Sequence, residues 1–257
     1  MAPLSDFDLS GRVVAVTGAG RGIGRAIALD VAHSGAAVAA CSRTASELES
    51  LEAEIAGFGG QCKTVVSDLS TVDGVDAFVS FAAGAFGRVD ALVNNAGVNL
   101  LKDALAYSED EVDVLLNLNL KSVYFLCLAG ARQMIAQGGG GSIVNITSQA
   151  GVVGAPGRAP YSAAKAGVNN LTRTLAAEWA SHGIRVNAVA PTVTLTPLAE
   201  KAMADRPGFR EEVAERILLG RPAEVREMSV PTVFLLSDAA SMITGHVLVV
   251  DGGWTIT

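Results

Sequence analysis

Thr17-Gly18-Ala19-Gly20-Arg21-Gly22-Ile23-Gly24 stands between a short β-branched run at 12–17 and an apolar series, Ile23, Ile27 and Val31, at helical spacing. A strand that ends in glycines and reopens as a helix lets the backbone turn sharply and approach a pyrophosphate. The free N–H groups at the helix start then offer it a positive end. Gly18, Arg21, Gly22, Ile23 and Gly24 are therefore candidate cofactor contacts. The plain alternative is a connecting turn; a second strand pattern at 36–41, some twenty residues on, favours the dinucleotide reading.

The residues just past that second strand select the cofactor. An acid there would hold the ribose hydroxyls of NAD and repel a 2′-phosphate. Its place falls on Ser42, followed by Arg43 and Thr44, so no carboxylate is present and a guanidinium stands one residue along. A charge-assisted hydrogen bond is worth roughly 1.5–3 kcal/mol, which makes NADP the expected cofactor. Arg21 adds to the same positive pocket; the alternative for Arg43 is a solvated loop residue. Asp68-Leu69 follows a third strand pattern and is placed to hold the adenine amino group, unless Asp68 caps the helix beginning near Thr71.

Farther out the chain alternates. Strand patterns at 63–67, 91–94, 142–147, 184–190 and 246–250 are separated by helical patterns at 45–56, 71–86, 110–137, 160–181 and 222–237. Such βαβα alternation predicts an α/β fold with a parallel sheet covered on both faces, in one domain spanning 1–257. The runs at 143–146 and 247–250 read as apolar strands and are expected to be buried on both sides. Polar and glycine clusters follow the strands, where ligands of such sheets sit. Region 194–221, with Pro197 and Pro207, breaks the alternation and is a candidate mobile lid.

Tyr161-Ser162-Ala163-Ala164-Lys165 sets a phenol and an ammonium on one face of a helix. The neighbouring cation is expected to favour the phenolate and lower the phenol's ordinary pKa of about 10, enabling proton transfer to a substrate oxygen. Ala164, Val168, Leu171 and Leu175 form the core-facing stripe of that helix. Asn94-Asn95-Ala96-Gly97 closes the fourth strand, either as a polar turn or as amides lining a cofactor cleft. Ser148 ends the fifth, where an N-cap or turn hydroxyl is its ordinary role. Asn119 inside a helix is unfavourable and needs a reason.

The 257 residues are 50% hydrophobic and carry a formal charge of −7, which argues against a nucleic-acid or anionic-membrane partner. No signal peptide and no apolar run near the ~20 residues of a membrane span are evident. Three scattered cysteines, Cys41, Cys62 and Cys127, read as reduced thiols of a cytoplasmic protein, and three scattered histidines predict no metal site.

Together T-G-A-G-R-G-I-G, D-L at 68–69, N-N-A-G at 94–97, Asn119, Ser148, Y-S-A-A-K and the late N-A-V-A-P resemble the short-chain dehydrogenase/reductase family along essentially the whole chain. The resemblance implies a Rossmann-like doubly wound domain with a seven-stranded sheet, hydride transfer with a nicotinamide, and no metal. It makes Tyr161 the general acid/base and gives Lys165 the nicotinamide ribose. Ser148 then polarises the substrate carbonyl and Asn119 holds a relay water. Asn95, Ala96, Gly97, Pro191, Thr194 and Thr196 become cofactor contacts, and Gln149 a substrate-side group or a solvent-facing glutamine. Arg158 is read as surface rather than substrate clamp.

S-R-T at 42–44, S-Q at 148–149, A-P-T-V-T-L-T-P at 190–197 and L-G-R-P-A-E-V at 219–225 are similar to the dicarbonyl and L-xylulose reductases, although 149–158 departs from them. The expectation is an NADP(H)-dependent enzyme interconverting a small ketose, dicarbonyl or similar carbonyl with a secondary alcohol, in a homotetramer. The rivals are a 3-oxoacyl thioester reductase, an NAD-linked polyol dehydrogenase and a non-catalytic dinucleotide sensor. The sensor has no use for Ser148, Tyr161 and Lys165 together.

Overall fold

The computed structural model describes residues 7–206 and 208–256; residues 1–6, Pro207 and Thr257 lie outside the described residues. Strand β1 (Val13–Thr17), helix α1 (Gly22–His33), β2 (Ala37–Ser42), α2 (Ala45–Gly57) and β3 (Cys62–Val66) build one half of a sheet. Helix α3 (Val72–Phe86) crosses to β4 (Ala91–Asn94), followed by α4 (Glu109–Leu116), α5 (Ser122–Gln137), β5 (Gly141–Ile146), α6 (Ala159–Trp179) and β6 (Ile184–Pro191). Helices α7 (Pro197–Asp205), α8 (Phe209–Arg216) and α9 (Arg226–Leu236) precede β7 (Val247–Val250). The seven strands are parallel, in the order β3-β2-β1-β4-β5-β6-β7. Chain direction across the sheet reverses between β1 and β4, the switch point where open α/β sheets bind ligands.

Period-two alternation sorts the core. Val14 and Val16 of β1 pack with Ile27 and Val31 of α1 and Leu235 of α9. Ala15 faces the other way, toward Phe78 of α3, Met134 of α5 and Val168 of α6. Each large apolar side chain so buried contributes roughly 1.5–3 kcal/mol. Ala164, Val168 and Leu175 are buried as the helical stripe predicts, with Leu171 packed against them.

Two expectations give way. Val247–Val250 is half-buried along its length because β7 is an edge strand. The predicted helix at 110–137 is interrupted by a π-helical turn, Asn117–Lys121. There the Asn119 amide donates to the Leu115 carbonyl at 2.9 Å and the Val98 carbonyl at 2.8 Å, and its oxygen accepts from the Val98 N–H at 3.2 Å. That is the reason for an asparagine in a helix: it ties the helix to the loop after β4.

Candidate active site

At the switch point, the Thr17 hydroxyl accepts from the Asn95 N–H at 2.9 Å and the Ala96 N–H at 3.1 Å while donating to the Val93 carbonyl at 3.2 Å. The Asn95 amide returns to the carbonyls of Thr17 and Gly18, both at 3.1 Å. One hydroxyl and one amide therefore sew β1 to β4. Gly18 takes φ +64° here, and a Cβ on it would come within 2.9 Å of the Ala96 backbone. Gly24 packs so tightly under this turn that any side chain would strike the Gly18 carbonyl.

Above the seam lies a cleft of about 290 Å³, lined by Gly18, Arg21, Gly22 and Ile23 from the turn, by Ser42, Arg43 and Thr44 after β2, and by Leu69, Asn95, Ala96, Gly97 and Thr196. The N-cap of α1 is Arg21, in extended conformation and with no side-chain hydrogen bond to the first turn, so the N–H groups there face the cleft without a side-chain cap. Arg43 is exposed on the rim. Asp68 is exposed and outside the lining; its carboxyl accepts from the Ser70 N–H at 3.0 Å and is held below its usual range chiefly by that turn, with a smaller pull from Arg43. The cap of α3 is Thr71, so the alternative role for Asp68 is not taken.

A second cavity, about 450 Å³, adjoins the first and shares Ile23, Asn95, Gly97 and Thr196 with it. Asn119, Ser148, Gln149, Tyr161, Lys165, Pro191 and Thr194 line it. Tyr161 and Lys165 project from α6 one turn apart, with the ammonium 5.7 Å from the ring centre. Lys165 donates to the Ile146 carbonyl at 2.9 Å, and burial pushes its pKa down to about 8. Ser148 donates to the Gln149 oxygen at 2.7 Å, accepts from the Ala150 N–H at 3.1 Å and lines the cavity beside Tyr161. It is a turn hydroxyl and a cavity group at once. Beneath the floor, the Asn94 amide donates to Asn145 at 2.8 Å and Asn145 to Thr172 at 3.0 Å, bracing β4, β5 and α6.

The family model described as enoyl-(acyl carrier protein) reductase matches residues 18–255. A D-threitol dehydrogenase of Mycolicibacterium smegmatis is 42% identical, over 98% of this chain and 95% of its own. An L-xylulose reductase of Bos taurus is 41% identical, over 98% and 100%. A gluconate 5-dehydrogenase of Burkholderia cenocepacia, crystallised with NADP and tartrate, superposes with a TM-score of 0.93 at 34% identity, over 99% of each chain. The chain belongs to the short-chain dehydrogenase/reductase family.

Within this short-chain dehydrogenase/reductase two side chains depart from expectation and a third decides between two readings. The Tyr161 phenol is raised above its ordinary value, not lowered: burial dominates, opposed by the Ser148 hydrogen bond and by the charge of Arg158. The cation that opposes burial is Arg158, not the Lys165 ammonium that the sequence put first. Arg158, read as surface, is half-buried and lines the second cavity. Gln149 is 3% exposed, so the solvent-facing alternative falls.

One charged contributor was missed. Glu47 of α2 lines the first cleft, with a carboxylate oxygen 3.7 Å from Arg21. Only its place in the first turn of a helix opening on the cleft hinted at this. The cysteines are free and buried, each thiol pushed up to about 12 by burial.

Proposed function

We propose that this protein is an NADP(H)-dependent oxidoreductase that interconverts a carbonyl and a secondary alcohol on a small sugar-derived substrate. One observation carries the reading: Tyr161 and Ser148 stand together in a cavity that shares a wall with the glycine-turn cleft. A scaffold or sensor needs only the cleft.

The residues present fit NADP. A Cβ on Gly20 would meet Ser42 at 2.9 Å and Glu47 at 2.5 Å, so glycine keeps this corner of the cleft passable. The start of α1 suits the pyrophosphate. Arg43, with no ion pair among the described residues, suits the 2′-phosphate, with Ser42, Thr44 and Arg21 beside it. When bound, the nicotinamide supplies or takes the hydride. Leu69, Asn95, Ala96, Gly97, Pro191, Thr194 and Thr196 are assigned to the adenine and nicotinamide ends, and Lys165 to the nicotinamide ribose.

In reduction, Tyr161 gives its proton to the carbonyl oxygen, and Ser148 stabilises the charge gathering there. A phenol raised above its ordinary value stays protonated across neutral pH, the form that reduction requires. Gln149 orients Ser148. The Asn119 side chain is engaged by Val98 and Leu115, so a relay water would be held by backbone.

The relatives named above divide between neutral polyols and a sugar acid, while the family model's description points to thioesters. A panel of xylulose, diacetyl, 5-ketogluconate and an acetoacetyl thioester, with NADPH and NADH, separates these. NADPH oxidation is expected with a sugar-derived carbonyl at roughly tenfold or more the thioester rate. A thioester preference defeats the reading in favour of its first rival, and an NADH preference in favour of a polyol dehydrogenase.

The same reading makes the chain one catalytic unit. Segment 194–221 acts as its lid: α7 and α8 contribute Ala199 and Phe209 to the cavity. It also takes the protein to be a cytoplasmic homotetramer, supported by the free cysteines and by the exposed Leu218, Leu219 and Ile256 near the C-terminus.

A further inference from the structure

The second cavity has a one-sided charge. Among its described lining residues there is no aspartate or glutamate, and its charged groups are Lys165 and Arg158. Lys165 is spent at the floor on the Ile146 carbonyl. Arg158 is different. It occupies the N-cap of α6, three residues before Tyr161, with its carbonyl accepting from the Ser162 N–H at 2.8 Å, so its backbone is fixed to the helix that carries the phenol. Its guanidinium has neither a hydrogen bond nor an ion pair among the described residues, although the side chain is half-buried.

The neighbouring cleft that Arg158 also lines contains Glu212 and Glu215. Glu212 is taken by Arg206 at 2.7 Å, and no ion pair joins either acid to Arg158. A half-buried guanidinium withheld from every carboxylate among the described residues is costly unless something else pairs with it. In a protein of net charge −7, an acid-free cavity wall is a local exception.

We propose that Arg158 anchors a carboxylate on the substrate, so that the carbonyl acted on belongs to a polyhydroxy acid rather than to a neutral sugar. This rests on the second cavity being the substrate site, as argued above. The planar fork of a guanidinium matches a carboxylate in bidentate fashion. Arg158 is the one cation without an ion pair or hydrogen bond among the described residues lining the second cavity, and Arg216 of the neighbouring cleft lies over the Trp254 ring, so the cavity itself offers one positive charge, which favours a carboxylate over a doubly charged phosphate. Arg158 would hold the far end of the molecule while Tyr161 and Ser148 take the carbonyl, and bond changes at the reacting carbon stay as already described.

The test uses a matched pair, 5-ketogluconate and its amide, with NADPH and the full-length enzyme. Wild type is expected to favour the acid in kcat/KM by roughly tenfold or more, mostly through KM. Arg158→Gln should cut the acid-to-amide ratio by roughly ten- to a hundredfold, and Arg158→Lys should restore part of it. The ratio cancels any general loss from altered folding or from the changed charge near Tyr161. A wild type that treats acid and amide alike, or a ratio that survives Arg158→Gln, overturns the proposal while leaving the oxidoreductase reading standing.

Xylulose 5-phosphate is the third arm; a larger dependence on Arg158 for it than for the acid also overturns the carboxylate assignment. Should no carbonyl be reduced, the oxidoreductase reading fails and binding decides this one. In Tyr161→Phe, calorimetry should find gluconate bound more tightly than gluconamide, and adding Arg158→Gln should erase the difference. Equal binding, or none, overturns it.

Discussion

The two adjoining hollows are built from different materials. The first is a backbone site: glycines, an uncapped helix start and a loop after β2 shape it, and its charged groups, Arg21, Arg43 and Glu47, stand at its edge. The second is a side-chain site, in which Asn119, Ser148, Gln149, Tyr161 and Lys165 come from three separate stretches of chain onto a braced floor. A backbone site recognises what all substrates of such enzymes share, and a side-chain site can be rewritten residue by residue. Substitutions should therefore divide into those that weaken cofactor binding and those that alter chemistry or substrate choice.

The largest effect tests the chemistry. Tyr161→Phe should lower kcat by roughly 10²–10⁴-fold, the range of general acid–base catalysis, while NADPH binding by fluorescence titration changes little. Comparable losses in both would merge the two sites into one and defeat the division.

Next comes the rim of the first hollow. Arg43→Ala should raise the Kd for NADPH by roughly ten- to a hundredfold and that for NADH far less, since only the phosphate contact is removed. Equal losses would mean that Arg43 shapes the cleft instead of reading the phosphate.

The smallest effect concerns stability. Lys165 has a folded pKa of about 8 against an ordinary 10.5, so the unfolded chain binds its proton more tightly. Below pH 8 both states are charged and the buried ammonium costs stability in full. Between 8 and 10.5 the folded state has released the proton first, so stability rises with pH, and above 10.5 the cost is gone. Lys165→Met should abolish most turnover yet gain about 1–2 kcal/mol at pH 7, after allowing for the lost bond to Ile146. That is a Tm higher by roughly 2–8 °C, narrowing as the pH climbs toward 10.5. A lower Tm by scanning calorimetry would show that the ammonium stabilises the fold and is no cost of the site.

The same contrast explains what was readable in the sequence. The glycine turn, the missing acid at Ser42 and the Tyr161–Lys165 spacing are local patterns, and the fold keeps them local. The inner strands β1, β2 and β4 announce themselves because burial leaves each one largely apolar. The strand β7 misled for the same reason: an apolar run does not reveal that a strand lies at the sheet edge. The π turn at Asn119 depends on a bond to Val98 in a distant loop. Arg158 and Glu47 were misjudged, and Gln149 was left open, because helix phase and loop length say little about which hollow a polar side chain will enter. The direction of the Tyr161 pKa required knowing how much water the folded cavity excludes.

The seam at Thr17 has a consequence for how such an enzyme can diversify. One oxygen joins the strand ends beneath the two hollows, and it is held by main-chain groups of Val93, Asn95 and Ala96. The spacing of the two hollows is thereby gauged by the scaffold. Loops above can be exchanged for new substrates without resetting that gauge.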